Sequence, residues 1–187
     1  MRTIKLLSEN MTKNFPVFKY HYNPVKSSIF QRFKGVCSCC GNKTGWKYIG
    51  PFYCIDEIEN LCPWCIKDGS AAEKFDLTYV DEHGPEKLED SSKLLELTTK
   101  TPGYFSAHGD PWPAHCNDYC SLLGMTNWAE LEPLLSELEI DIKISQEKNG
   151  LSYMELVSEL NRKHSPLLAH LFKCNHCGKH RFTVDYE

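Results

Sequence analysis

Cys37-Ser38-Cys39-Cys40-Gly41 and Cys62-Pro63-Trp64-Cys65 decide how this sequence is read, because each sets two cysteines at CxxC spacing and 21 residues lie between the pairs. Each turn directs two thiolates inward, and two turns complete a tetrahedron. That is the pattern of a zinc ribbon or treble-clef-like site with Cys37, Cys40, Cys62 and Cys65 as ligands. Gly41 has a physical role in the turn: without a Cβ it takes positive φ and lets backbone N–H groups face the sulfurs. A thioredoxin-type redox pair at Cys62 and Cys65 is the competing reading, but residues 53–61 lack the character of a buried parallel strand. Cys39 and Cys54 have no partner at ligand spacing and read as reduced, semi-buried thiols, either of which stands in if Cys37 is not a ligand.

A second set lies further on. The segment after Pro111 and Pro113 reads as a helix through Leu123 with Gly124 at its end, so Cys116 and Cys120, four apart, face the same way. Cys174-Asn175-His176-Cys177-Gly178 repeats the glycine-closed turn. Together Cys116, Cys120, Cys174 and Cys177 offer four more ligands, provided that the C-terminal hairpin folds back on the helix. His115, His176 and His180 are the substitutes. Four-thiolate sites leave no open coordination position, so both are expected to be structural zinc, each supplying on the order of 10–16 kcal/mol of apparent binding energy. Two zinc ions are therefore expected as folding cofactors.

The remaining composition fits. The chain has 187 residues, ten of them cysteine, with a net charge of -4 and 12 % aromatic residues. This is enough for one domain or two small ones with a real core. Residues 1–14 read as a polar, flexible extension without the apolar region of a secretory signal, and no run of 18 apolar residues offers a membrane span. Clustered cysteines without export point to the reducing cytoplasm. The acidic balance argues against reliance on nonspecific phosphate contacts.

Residues 15–187 read as a single α+β domain with short antiparallel strands: an N-terminal zinc module (15–80), a helical region (88–165) and a C-terminal zinc hairpin (166–187). Within it, strands are expected over 29–36 and 46–53, the second bent by Gly50-Pro51. Ser70 with Glu73 has the spacing of a capping box. A helical pattern from Leu88 to Leu97 stops at Pro102-Gly103. Asn127 with Glu130 opens a helix carrying Leu131, Leu134, Leu135 and Leu138. Residues 152–160 are amphipathic, and 167–173 with 181–186 form a hairpin closed by the last cysteine turn.

Several stretches resemble the CbrC family, also called UPF0167, of colicin-tolerance-like bacterial proteins. They are Phe18-Lys19-Tyr20-His21-Tyr22-Asn23-Pro24, the CxCCG at 37–41, Tyr48-Ile49-Gly50-Pro51-Phe52-Tyr53 and, above all, the 15 residues 62–76 (CPWCIKDGSAAEKFD). Thr101-Pro102-Gly103-Tyr104, His115-Cys116, Asp118, Cys120 and the terminal CxxCG extend the resemblance over 15–187. It departs at Ala107-His108, where the family has a tryptophan-glutamine pair, and residues 137–150 look like a variable insertion. The resemblance implies a cytoplasmic bacterial protein associated with tolerance to a nuclease bacteriocin, with no established enzymatic activity.

Three functions compete. The first is a non-catalytic zinc protein that gives tolerance or immunity to a toxin by binding a protein partner. A basic nuclease toxin suits an acidic chain, with Asp56, Glu57, Glu59 and residues 130–141 as acidic clusters. The second is nucleic-acid binding through the zinc modules, around Lys173, Lys179, His180 and Arg181 with Phe172 and Phe182, in a stress or DNA-damage response. The third is a zinc-containing hydrolase-type enzyme using His21, Tyr104, His108, His115 and Asp118. No nucleophile elbow, phosphate loop or HExxH motif supports it.

Overall fold

A computed structural model describes residues 14–106, 109 and 111–186. Most of the N-terminal extension and the Ala107-His108 pair lie outside the described residues. The helices and short antiparallel strands make an α+β protein, and no helix among the described residues is long and apolar enough to cross a membrane. The described residues fall into two compact units. One comprises the residues up to Glu82 with Leu94–Phe105, the other His83–Lys93 with the residues from Ser106 onward.

The first unit is built on an antiparallel hairpin of β1 (Phe30–Val36) and β2 (Lys43–Tyr48), with Phe30 opposite Tyr48 and Val36 opposite Lys43. The register slips between Arg32 and Gly35, a bulge that twists the strand. The second strand starts earlier than its aromatic content suggests and stops at Tyr48. Beyond it the amides of Tyr48 and Ile49 bond to Leu61 and Ile29, and Pro51 has no amide to continue a ladder. Tyr53 instead makes an isolated bridge to Thr78.

Two short helices follow, α1 (Pro63–Lys67) and α2 (Ser70–Phe75). Pro63 fits because the first helical turn needs no amide there. The capping box expected at Ser70 does not form. Gly69, at φ 84°, is the N-cap and Ser70 is already helical, its hydroxyl donating to the Asp68 carboxylate at 2.6 Å. Helix α3 (Ser91–Lys100) starts three residues later than its leucine pattern implies and buries Leu97. Phe18, Ile29, Phe30, Tyr48, Leu61 and Ile66 are central to this unit's core, where Phe30 and Tyr48 lie 5.2 Å apart.

The second unit departs from expectation over 114–126. No helix forms there. The chain makes a tight hairpin of β3 (Ala114–His115) and β4 (Asp118–Tyr119), then β5 (Ser121–Thr126). Pro113 biases Trp112 away from helical backbone, which outweighs the apolar spacing of Leu122 and Leu123. Gly124, read as a helix cap, sits at φ 134° where the pairing of β5 slips between Leu122 and Gly124.

The helices come next. Asn127 caps α4 (Trp128–Leu131), its side chain accepting from the Glu130 amide at 3.2 Å as its sequence spacing implies. Pro133 divides the following run into a 3-10 turn (Glu132–Leu134) and α5 (Leu135–Asn149). Residues 137–150, which look like an insertion, therefore form most of a helix that packs on the last strand. A reciprocal capping box of Ser152 and Glu155 starts α6 (Tyr153–Asn161). Strands β6 (Leu167–Lys173) and β7 (His180–Tyr186) complete a three-stranded antiparallel sheet of order β5-β6-β7. The helices cover it with Trp128, Leu131, Leu138 and Leu156, packed on Phe182 and Val184 of β7.

Candidate metal centres

Both hairpins end in the same tip. At 37–42 the amide of Cys37 donates to Asn42 O at 3.0 Å and that of Gly41 to Cys37 O at 2.9 Å. At 174–179 the amide of Cys174 donates to Lys179 O at 2.8 Å and that of Gly178 to Cys174 O at 3.1 Å. Gly41 and Gly178 take φ of 71° and 77°. A β-carbon is strained in that region, so the glycine after each CxxC is a backbone requirement. Two knuckles thus arise from two unrelated stretches of sequence, each presenting a pair of thiols.

The first knuckle is completed by the start of α1. The Ser38 amide donates to Asn60 O at 2.7 Å and the Tyr48 amide to Leu61 O at 2.9 Å, which lays 60–61 along the hairpin and delivers Cys62 to its tip. The sulfurs of Cys62 and Cys65 stand 3.5 Å apart and those of Cys37 and Cys65 3.9 Å. All four sulfurs of Cys37, Cys40, Cys62 and Cys65 lie within 4.8 Å of one another. Tetrahedral zinc with bonds of about 2.3 Å to sulfur needs sulfurs about 3.8 Å apart, so the donors fit. The Cys62 amide, 3.3 Å from Cys37 Sγ, adds a hydrogen bond that favours thiolate there. Side-chain contacts with Cys62 and Cys65 hold Cys37 far below an ordinary thiol. In return the neighbouring Cys37 pushes Cys62 up to about 12 and Cys65 higher still.

The second centre differs from the all-cysteine set. His115, Cys116, Cys174 and Cys177 bring their donor atoms within 4.8 Å of one another. His115 Nδ1 is 3.2 Å from the sulfurs of both Cys116 and Cys177. A tetrahedral ion with bonds of about 2.05 Å to nitrogen and 2.3 Å to sulfur needs about 3.5 Å, so this set fits too.

Cys120 is outside it. Four residues on from Cys116 would be the same face of a helix, but this is a hairpin whose turn is Cys116-Asn117, at φ 54° and 56°. Such a turn needs left-handed backbone at both central residues. It presents His115 and Cys116 together at one tip and leaves Cys120 buried beyond β4. Burial, with Cys174 second, pushes the Cys120 thiol up to about 12, so it stays protonated. At Cys174 burial acts to raise the pKa, but backbone amides of Cys177 and His176 and the His115 contact outweigh it and bring the thiol down to about 6.

The supporting shell is polar. His176, a proposed substitute ligand, instead places Nε2 3.0 Å from Asp118 Oδ2. His180 faces Glu137, its Nδ1 3.1 Å from Oε2. Arg181 has its Nε 2.9 Å from both oxygens of buried Asp141 and an Nη 2.7 Å from Glu86 Oε1. Glu86 in turn accepts from the Ala114 amide at 3.0 Å, and Asp141 from the Phe182 amide at 3.0 Å. This network ties β3, which carries His115, to β7, which follows the knuckle. Cys39 and Cys54 are half-buried, with sulfurs near Ser70 Oγ (3.6 Å) and Phe75 O (3.2 Å). Of the polar candidates, His21 and Tyr104 are buried in the first unit, and His115 and Asp118 belong to the second. His108 lies outside the described residues.

Residues 15–186 match the family described as "Uncharacterised protein family (UPF0167)". The chain belongs to UPF0167. This UPF0167 chain is 29 % identical over 182 residues to the UPF0167 protein PA1536 of Pseudomonas aeruginosa, covering 94 % of this chain and 99 % of that protein. It is 30 % identical over 186 residues to the UPF0167 protein Mb2317 of Mycobacterium bovis and to the UPF0167 protein MT2352 of Mycobacterium tuberculosis, covering 93 % of this chain and 95 % of each. No solved structure matches significantly.

Proposed function

We propose that this UPF0167 chain is a non-catalytic protein whose two structural zinc ions hold a surface for a protein partner. One observation carries the reading: each centre gathers four protein donors at tetrahedral spacing, a set that leaves no coordination position for water or substrate. Cys37, Cys40, Cys62 and Cys65 would hold one ion and His115, Cys116, Cys174 and Cys177 the other. The ions supply folding energy rather than Lewis acidity. The cytoplasm, where the thiols stay reduced, is the compartment that this chemistry suits.

Charge supports the partner class. Zinc with four thiolates leaves -2 and with three thiolates and an imidazole -1, so the formal -4 becomes about -7 when both sites are filled. Exposed acidic residues on α4 and α5, among them Glu130, Glu137 and Glu139, suit a basic partner. A nuclease toxin, basic because it must engage phosphate, is the class we favour, with tolerance arising from its sequestration. Metal analysis tests the first half: two zinc ions per chain are expected, and a disulfide or a single ion overturns it. Pull-down with a basic nuclease domain at low salt tests the second, and no capture removes direct sequestration.

A further inference from the structure

The net charge conceals a segregation. From residue 10 to residue 55 there is no aspartate or glutamate, while Lys13, Lys19, Lys26, Arg32, Lys34, Lys43 and Lys47 all fall within that stretch. Four of these seven, Arg32, Lys34, Lys43 and Lys47, are on the β1–β2 hairpin, and among the described residues none of the four is ion-paired. An acidic protein thus carries one wholly basic two-stranded ribbon, held at its tip by the first metal centre.

The shape of that ribbon is specific. Two adjoining hollows open on it, one lined by Arg32, Phe33, Lys34 and Gly45, the other by Lys34, Gly35, Val36, Lys43 and Thr44. A β-carbon at Gly45 would meet nothing within 4 Å, so the floor there is open. Phe33 lays its ring across Gly35, where a β-carbon would clash with it at 2.2 Å, so any side chain there would displace the ring. Lys47 Nζ is 5.4 Å from the Phe33 ring centroid, and Arg32 stacks 4.0 Å from that of Trp46. Cations interleaved with an accessible aromatic ring suit a chain of phosphates carrying unstacked bases. A duplex, whose bases are already stacked, has no use for the ring.

We propose that the outer face of the β1–β2 hairpin binds single-stranded nucleic acid, with phosphates on Lys34, Lys43 and Lys47 and a base on Phe33. The inference does not depend on the acidic surface or on a toxin partner, and either reading can fail without the other.

The test is fluorescence anisotropy of a labelled deoxythymidine oligomer of about 15 nucleotides, titrated with the zinc-loaded 187-residue chain. Three phosphate contacts give log affinity against log salt a slope of about -2. The double variant Lys34→Glu, Lys43→Glu is expected to lose at least about tenfold in affinity and roughly two-thirds of that slope. Phe33→Leu loses about fivefold with the slope unchanged. Lys163→Glu, a charge change in the second unit, leaves binding as it is. Zinc content and thermal midpoint, measured on each variant, separate lost binding from lost folding. Three outcomes overturn the proposal: no binding at about 50 mM salt, equal loss from Lys163→Glu, or equal competition by polyglutamate, which would make the face a general polyanion surface.

Discussion

His176 reaches Asp118 across two hairpins, Nε2 to Oδ2 at 3.0 Å, and thereby links the knuckle that carries Cys174 and Cys177 to the turn that carries His115 and Cys116. Asp118 is buried and also accepts from the Tyr119 amide, so it is fixed before His176 arrives. Groups that orient ligands in this way typically change metal affinity by about 10–100-fold. Asp118→Asn is expected to weaken the second centre by about tenfold while leaving the first unchanged, as read by chelator competition that resolves two release steps.

Cys116 and Cys120 have opposite roles. Cys116→Ser is expected to drop the metal content by one ion per chain. Cys120→Ala keeps both ions and costs about 1 kcal/mol or somewhat more for the buried volume removed. Elemental analysis of the two purified variants distinguishes them, and equal metal loss from both would return Cys120 to the ligand set.

The Arg181–Asp141 pair is almost dry, with Asp141 4 % exposed and Arg181 17 %. Removing one partner strands a charge. Asp141→Ala is expected to destabilise the protein by about 3–5 kcal/mol, and more than Glu86→Ala, since Glu86 is half-exposed. Denaturant titration of the zinc-loaded variants measures both.

Burial holds the central-strand His170 down to about 4, with Asp185 offsetting part of the effect. The folded state therefore refuses a proton that the unfolded chain accepts below its ordinary value near 6.5. Stability from this group is full above that value and falls as the pH drops toward 4, by about 2 kcal/mol at pH 5. His170→Gln is expected to flatten the pH dependence of unfolding between pH 6.5 and 5 relative to the parent, whatever its effect at neutral pH.

Cysteine spacing made all four donors of the first centre legible, because a CxxCG turn determines its own backbone at Cys37 and Cys40 and the second CxxC opens α1. The same argument found the C-terminal knuckle and its hairpin. The other half of the second centre was hidden. Two prolines and a run of leucines imitate a helix, while the left-handed turn at Cys116-Asn117 is signalled only by one asparagine, a residue that tolerates positive φ. Arg181, Asp141 and Glu86 were invisible because 40 or more residues separate Arg181 from each of its acidic partners and no local pattern marks them. The basic hairpin was legible but averaged away, since a net charge of -4 sums a stretch of seven cations with the acidic remainder.

The two knuckles close chain loops of different length. Between Cys40 and Cys62 lie 21 residues, whereas 57 lie between Cys116 and Cys174. Closing the longer loop costs about 1 kcal/mol more in chain entropy. On a ribosome, all four donors of the first centre have been made before either half of the second. Ions bound at both centres would load in order: the N-terminal one while the chain is still growing, the C-terminal one only once the last hairpin is made.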